Sequence, residues 1–535
     1  MKTRIPFLVS VIALATTLIS SLGFIPPAQA YYDFFDEKLR VDGFYKEYIY
    51  IRTHIPAKEQ KYHGSNVDQM LSSFFIEGLW KIKDCPEEKI SFFGSLGYKY
   101  EKAPVFDTKL NYAIPSRERT TYQHPTNEKD ILTEAYVDYI RGPWNIRIGK
   151  QIAIWGETDI QRTVDIINPL DLRYGSPGIN SWSELKKGIW MIRGFYQTQL
   201  SNNLLFEFIY NPGYFEPIRL GTEGTHWGPS PATTNPVTGQ PSGIYDWVVT
   251  KKWQDDAPPK WAIDNWELGF RVRGFDYNVD WTLVYYNSKS DGPVVTNPDN
   301  LTTYSNAWFD AAFRSQNTGE PINNLTKIND PGVKVYDFER YQLFGGTMQT
   351  VIEPLHGSIW RLEWFYEYGL SYNKGGLDPS TGKRASTSAI YDKVKRDTFG
   401  FGLNYQDSFD IPYITRHWFQ NNYFRVSLTA FYEKIFNNSR DLVVDTSRNH
   451  RLYHSHASSI AWNLMQFWEN NEYALVITGN WAPEINKGFI APMIAYVPGQ
   501  KWRFEGGPII YWSGYKYNRG YYDKDSILIR IRYEF

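Results

Sequence analysis

Along most of the chain apolar and polar side chains alternate with a period of two. In Ser526–Phe535, Ile527, Ile529, Ile531, Tyr533 and Phe535 fall on one phase and Arg530, Arg532 and Glu534 on the other. Trp144, Ile146 and Ile148 alternate with Asn145, Arg147 and Gly149. Trp360, Leu362, Trp364 and Tyr366 alternate with Arg361, Glu363 and Glu367 along their strand. Such alternation predicts strands near 41–51, 72–82, 90–100, 131–140, 144–155, 188–199, 203–211, 265–275, 277–288, 338–352, 357–370, 397–408, 423–436, 459–468, 472–481, 488–497, 502–514 and 525–535. No comparable helical period runs through residues 31–535.

The spacing of these strands is as informative as their pattern. Very short turns, such as Arg141-Gly142-Pro143 and the single Asp276, alternate with long Gly-, Pro-, Asn- and Ser-rich segments such as 156–187, 212–264 and 289–337. Strands of about ten residues with that rhythm predict an all-β, transmembrane antiparallel β-barrel with long extracellular loops and short periplasmic turns. Closure suits them, because it pairs every backbone group and leaves no edge in lipid. The count is about eighteen strands, or sixteen if 41–51 and 459–468 are not strands. The competing fold is a soluble sandwich or propeller with an aromatic core, but no blade-length repeat is visible.

The N-terminus bears on location. Lys2 and Arg4, a mostly apolar run from Phe7 to Leu22 and Ala28-Gln29-Ala30 read as a cleaved signal peptide over 1–30, leaving 31–535 as one barrel domain. No later run reaches the roughly 18 apolar residues of a spanning helix. The expected location is therefore the outer membrane of a Gram-negative cell, with outer-membrane lipid and the outer-membrane assembly machinery as partners. Tyr533 and the terminal Phe535, after alternating apolar positions, resemble the C-terminal assembly signal of bacterial outer-membrane barrels.

Composition then sharpens the picture. The 535 residues are 17% aromatic, with 40 Tyr, 32 Phe and 20 Trp, yet mean hydropathy is −0.47. A barrel reconciles the two, because rings with polar tips settle at membrane interfaces. Trp144, Trp155, Tyr277, Tyr368, Trp481, Trp502 and Trp512 stand at predicted strand ends as girdle positions. The 57 Lys and Arg nearly cancel the 58 Asp and Glu, so an electrostatic nucleic-acid binder is not expected. One cysteine, Cys85, rules out a disulfide framework.

The polar phase of the strands predicts a mixed-charge lumen wall that includes Arg147, Arg271, Arg273, Arg361 and Glu363. After Trp155, Glu157, Asp159, Asp165 and Asp171 put four carboxylates into one loop, with a turn at Asn168-Pro169. Three readings compete for them. The segment 156–187 folds into the lumen and its acids meet wall arginines; or it forms a constriction that sets selectivity; or its oxygens hold calcium, at a spacing unlike an EF-hand. Catalysis has little support, since Gly-x-Ser-x-Gly, His-Glu-x-x-His and Walker A motifs are absent. His454-Ser455-His456 reads as solvated surface, and no metal or cofactor is expected.

The stretch Trp155-Gly156-Glu157-Thr158-Asp159 through Asn168-Pro169-Leu170-Asp171 is the most distinctive. With Arg147-Ile148-Gly149-Lys150-Gln151 before it and Ser183-Glu184-Leu185-Lys186-Lys187-Gly188 after it, it resembles an uncharacterised family of proteobacterial outer-membrane barrels. That family is a domain of unknown function whose genes often accompany resistance-nodulation-type exporters. The stretch is also similar to porin-like barrels of the alginate-export kind. The resemblance implies a porin-like channel or export barrel passing small polar or amphiphilic solutes, with association with an efflux system as a further implication. The alternatives are a structural or adhesive barrel with partner-binding loops, and a secreted carbohydrate-active protein.

Overall fold

The computed structural model describes residues 32–535 apart from 56–63, 108–122, 124–129, 157–161, 199–203, 222–225, 228–254, 297–298, 301–302, 304–331, 356, 376–389, 411–416, 418–423, 439–441, 444–455, 470, 500 and 514–523. Eighteen long strands close into one antiparallel barrel. They are β1 (Leu39–Arg52), β2 (Val67–Cys85), β3 (Glu88–Glu101), β4 (Leu132–Arg141), β5 (Trp144–Gln151), β6 (Ile189–Gln197), β7 (Leu205–Asn211), β8 (Glu267–Asp276) and β9 (Val279–Lys289) in the first half. The second half holds β10 (Arg340–Ile352), β11 (Ser358–Gly375), β12 (Ile390–Phe409), β13 (Phe424–Ile435), β14 (His456–Trp468), β15 (Tyr473–Ala482), β16 (Lys487–Tyr496), β17 (Trp502–Ser513) and β18 (Ser526–Glu534).

Each strand pairs with its sequence neighbours, and β1 pairs with β18 from Phe44↔Glu534 to Arg52↔Ser526. The sheet therefore has no open edge along this seam. The C-terminal residue extends it, since Phe535 and Gly43 exchange backbone hydrogen bonds of 3.0 and 3.1 Å. Below that point the short strand Tyr32–Phe34 folds back on Leu39–Val41 and covers the part of β1 that runs past β18. All eighteen expected strands occur, so 41–51 and 459–468 are strands, and neither the sixteen-strand count nor a sandwich or propeller holds.

The rim that carries both chain ends has mostly brief connections, among them 86–87, 142–143, 277–278 and 469–472, with 410–423 the longest. The opposite rim carries 102–131, 152–188, 212–266 and 290–339, but also the brief 483–486. We call these the terminal rim and the loop rim.

The two faces of the sheet differ as the alternation requires. Phe92, Val137, Ile148, Phe270, Leu283 and Ile529 are among the large apolar side chains exposed outward around the circumference. An apolar surface that encircles the molecule exceeds any patch a soluble monomer carries, and it matches the hydrocarbon zone of a bilayer. Among the described residues no helix is long and apolar enough to cross a membrane; the crossing elements are the strands. Rings cluster at the terminal rim, where Trp144 lies 4.5 Å from Tyr196 and Trp502 lies 4.7 Å from Tyr533.

One strand ends earlier than its pattern predicts. The apolar alternation continues to Trp155, but β5 stops at Gln151. Gly149, at φ +142°, sits where a Cβ would run into the Ala135 carbonyl. The Ile152 N–H then donates to the Glu134 carboxylate at 2.7 Å instead of to a strand partner. From there the chain turns inward.

Candidate functional site

The inward turn leads to the main feature of the lumen. Asn168, fully buried, clamps both ends of the segment between β5 and β6. Its Oδ1 accepts from the Ala153 N–H at 2.7 Å, and its Nδ2 donates to the carbonyls of Gln151 (3.1 Å) and Lys187 (2.8 Å). An amide side chain suits this post because it donates and accepts at once. Pro169, with no N–H to satisfy, uses its carbonyl to accept from Lys187 N at 2.9 Å.

Between these clamps the segment reaches distant parts of the wall. Val164 packs on β10, where a Cβ added to Gly345 would lie 2.6 Å from it. The single helical turn Trp182–Leu185 presents Glu184 to β1, where it pairs with Lys46 and accepts from Tyr48 Oη at 2.6 Å. Lys99 of β3 donates to the Glu184 carbonyl at 3.3 Å, and Arg530 of β18 donates to the Ile179 carbonyl at 3.2 Å. Contacts with β1, β3, β10 and β18 carry one segment across the lumen. A second inward stretch, 212–221 after β7, bridges to it at Asp171↔Arg219.

Ion pairs bind the two stretches. Lys187 meets Glu216 (2.8 Å) and Asp130 (3.5 Å), while Arg219 meets Asp130 (3.0 Å) and Glu216 (2.5 Å). Asp165 pairs with Lys186, and Asp171 with Arg173 at 2.6 Å. Burial works against the charge on Asp171, yet the Arg173 guanidinium holds its carboxyl well below the usual carboxylate range. Burial likewise opposes ionisation of Glu184, and Lys46 with Tyr48 outweighs it, bringing the carboxyl down to about 2. The Lys187 ammonium is pushed down, first by burial and then by Arg219.

The four wall arginines expected from the sequence find side-chain partners on the wall strands. Arg147 pairs with Asp138 at 2.9 Å, and Arg273 with Asp280. Glu207 holds Arg193 at 2.6 Å and Arg271 at 2.7 Å, and accepts from Trp155 Nε1 at 3.1 Å. Arg361 donates to the side-chain oxygens of Gln349 (2.6 Å), Gln406 (2.8 Å) and Asn404 (3.1 Å). Glu363 is buried beside Gly156, where a Cβ would come within 3.4 Å of its carboxylate.

Two expectations are thereby corrected. Of the acids expected to meet wall arginines, the described Asp165 and Asp171 pair instead with Lys186 and Arg173 of their own segment. Trp155 is no girdle residue: it is 1% exposed inside the lumen, edge-on to Tyr286 at 5.9 Å. Glu157 and Asp159 lie outside the described residues, as do His454 and Ser455. Among the described residues no three His, Cys, Asp or Glu side chains converge as a metal site would require.

Several residues that build the site were not singled out by sequence. Lys46, Glu207, Glu216 and Arg219 have partners 14 to 138 residues away, and Glu184 entered the sequence reading only within the Ser183–Gly188 motif.

Space remains on both sides of the inward segment. A cavity of about 360 Å³ lies between it and the wall of β1–β5, bordered by Glu77, Lys99, Glu134, Lys150, Glu184 and Arg532. Another of about 340 Å³ separates Gly178 and Ile179 from β14–β18, bordered by Met465, Phe467, Met493, Arg503 and Glu505. An apolar cluster packs Val164 and Ile167 of the segment among Trp155, Ile209, Leu343 and Phe365.

No curated protein matches the sequence. Among solved structures, Salmonella typhi OmpF in complex with daunomycin aligns over 94% of this chain and 100% of its own, at 10% identity and a TM-score of 0.40. A BenF-like porin from Pseudomonas fluorescens Pf-5 aligns over 93% and 98%, at 6% identity and a TM-score of 0.45. Acinetobacter baumannii OccAB1 aligns over 93% and 96%, at 7% identity and a TM-score of 0.45. A family model described as protein of unknown function, DUF1302, matches residues 28–450, and the chain belongs to that family.

Proposed function

We propose that the protein is an outer-membrane channel of the porin kind, through which small polar or amphiphilic solutes pass passively around an inward-folded constriction. The observation that carries this reading is a closed barrel with an apolar outer band and a charged lumen, crossed by one segment that leaves cavities of about 360 and 340 Å³ beside it. The loop rim faces outward from the cell and the terminal rim faces the periplasm, with residues 1–30 removed on export. Lipid of the outer membrane covers the apolar band, and the assembly machinery engages Tyr533 and Phe535. Association with an efflux system rests on the sequence resemblance. Diffusion needs no cofactor and no catalytic step.

Liposome swelling tests the reading. Vesicles containing the protein swell in isotonic arabinose, and more slowly as the sugar grows from monosaccharide to trisaccharide. Vesicles that do not swell in any of these sugars would contradict it. A second reading, a structural or adhesive barrel, draws on the apolar packing within the lumen; it expects no swelling and a normally folded barrel. A soluble carbohydrate-active protein is disfavoured by the encircling apolar band.

A further inference from the structure

A buried polar cluster sits inside the barrel near the loop rim, where the connection after β7 meets the β1–β18 seam. His226 and Trp227 of that connection are 1% and 3% exposed, although they lie far along the chain from the strands they touch. The His226 ring lies 4.2 Å from the Tyr50 ring of β1, and Trp227 stands edge-on to Tyr50 at 5.4 Å. Trp227 Nε1 donates to Gln69 Oε1 at 2.9 Å. Lys524, in the connection before β18, donates to the His226 carbonyl at 2.7 Å.

The charged groups around the imidazole are arranged for one protonation state. Asp68 of β2 lies 3.1 Å from Nδ1, so the neutral ring donates Nδ1–H to that carboxylate. The same Asp68 oxygen already accepts from Arg52 of β1 at 2.7 Å. Arg52 and the Lys524 ammonium both oppose a second positive charge at this place. On the far side of the ring, Nε2 is buried without a hydrogen-bond partner among the described residues. Tyr50 Oη nearby is unpartnered in the same sense. An imidazolium would thus gain a buried N–H with no acceptor, at a cost typical of an unsatisfied buried donor.

We propose that the His226–Asp68 contact is an acid-released anchor, which holds His226 and Trp227 against the seam at neutral pH and lets them go on acidification. Burial, ahead of the favourable Asp68 contact, brings the His226 imidazole down to about 4. The sign follows. A histidine with its folded value below its free value of about 6.5 stabilises docking above that free value, and docking weakens as pH falls from about 6.5 towards 4. Between pH 7 and pH 4.5 the undocked state should gain on the order of 50-fold relative to the docked one.

The placement of this anchor inside a solute path rests on the channel reading; the acid release does not. Hydrogen exchange of the detergent-solubilised full chain separates them. After correction for intrinsic rates, protection of the peptide containing His226 and Trp227 falls on the order of 50-fold from pH 7 to pH 4.5. In His226→Gln, whose amide can donate to Asp68 without titrating, that protection stays constant. Constant protection in the unmodified protein, or an equal loss in His226→Gln, would overturn the proposal. If instead the exchange result holds and planar bilayers show no conductance at either pH, the anchor stands and the channel reading falls.

Discussion

At the scale of single residues, Glu184 has the clearest consequences. Among the described residues of the inward segment it meets β1 through its carboxylate, and Lys46 beneath it is buried. Glu184→Gln leaves that ammonium without its charge partner, which should cost the docked segment about 3–5 kcal/mol. Proteolysis at the loop rim should then release fragments from 162–187 that the unmodified barrel protects. The pH dependence has a definite sign. A carboxyl held at about 2 when folded, against about 4.5 when free, adds stability fully present above 4.5 and lost as pH falls through 2. The amount is about 3 kcal/mol, and the glutamine variant should lack it in acid titrations of the same protection. None of this could be read from the sequence around Glu184, because what singles it out is Lys46, 138 positions away.

At the scale of elements, the seam is the decisive contact. Gly43 of β1 lies under the ring of Phe535, and a Cβ there would come within 2.8 Å of that ring and collide with the Phe75 carbonyl. The Phe535 ring in turn stacks on Phe74 of β2 at 5.7 Å. Gly43→Val should therefore slow closure and lower the temperature at which the barrel loses its compact mobility on cold gels, a loss of about 1–3 kcal/mol. Strand periodicity was legible throughout, since an outward apolar phase and an inward polar one are imposed by lipid on every strand. The exception was Trp155, where the same alternation continued into a segment that leaves the sheet. Its pattern came from packing against Tyr286 and Ile209 inside the lumen, and period-two alternation does not distinguish an apolar face towards lipid from one towards a plug.

At the scale of the whole molecule, the lumen is divided. The segment from 162 to 188 neutralises Asp165 and Asp171 with its own cations and fastens to four separate strands, so it behaves as a built partition. Its existence was legible from the length of 156–187 and its four acids, but its partners were not, because charge pairing across a barrel depends on closure and stagger. Trp155→Ala should test how rigid the partition is, removing a ring that packs on Tyr286 and leaving a cavity worth about 3–5 kcal/mol. The expected result is an earlier thermal transition with the strand content unchanged, followed by circular dichroism.

The most direct measurement is conductance in planar bilayers, comparing the purified barrel with a variant in which 162–187 is replaced by a short Gly-Ser linker. Discrete steps are expected for the unmodified protein and several-fold larger steps for the variant. Properly closed barrels that carry no current in either form would contradict it.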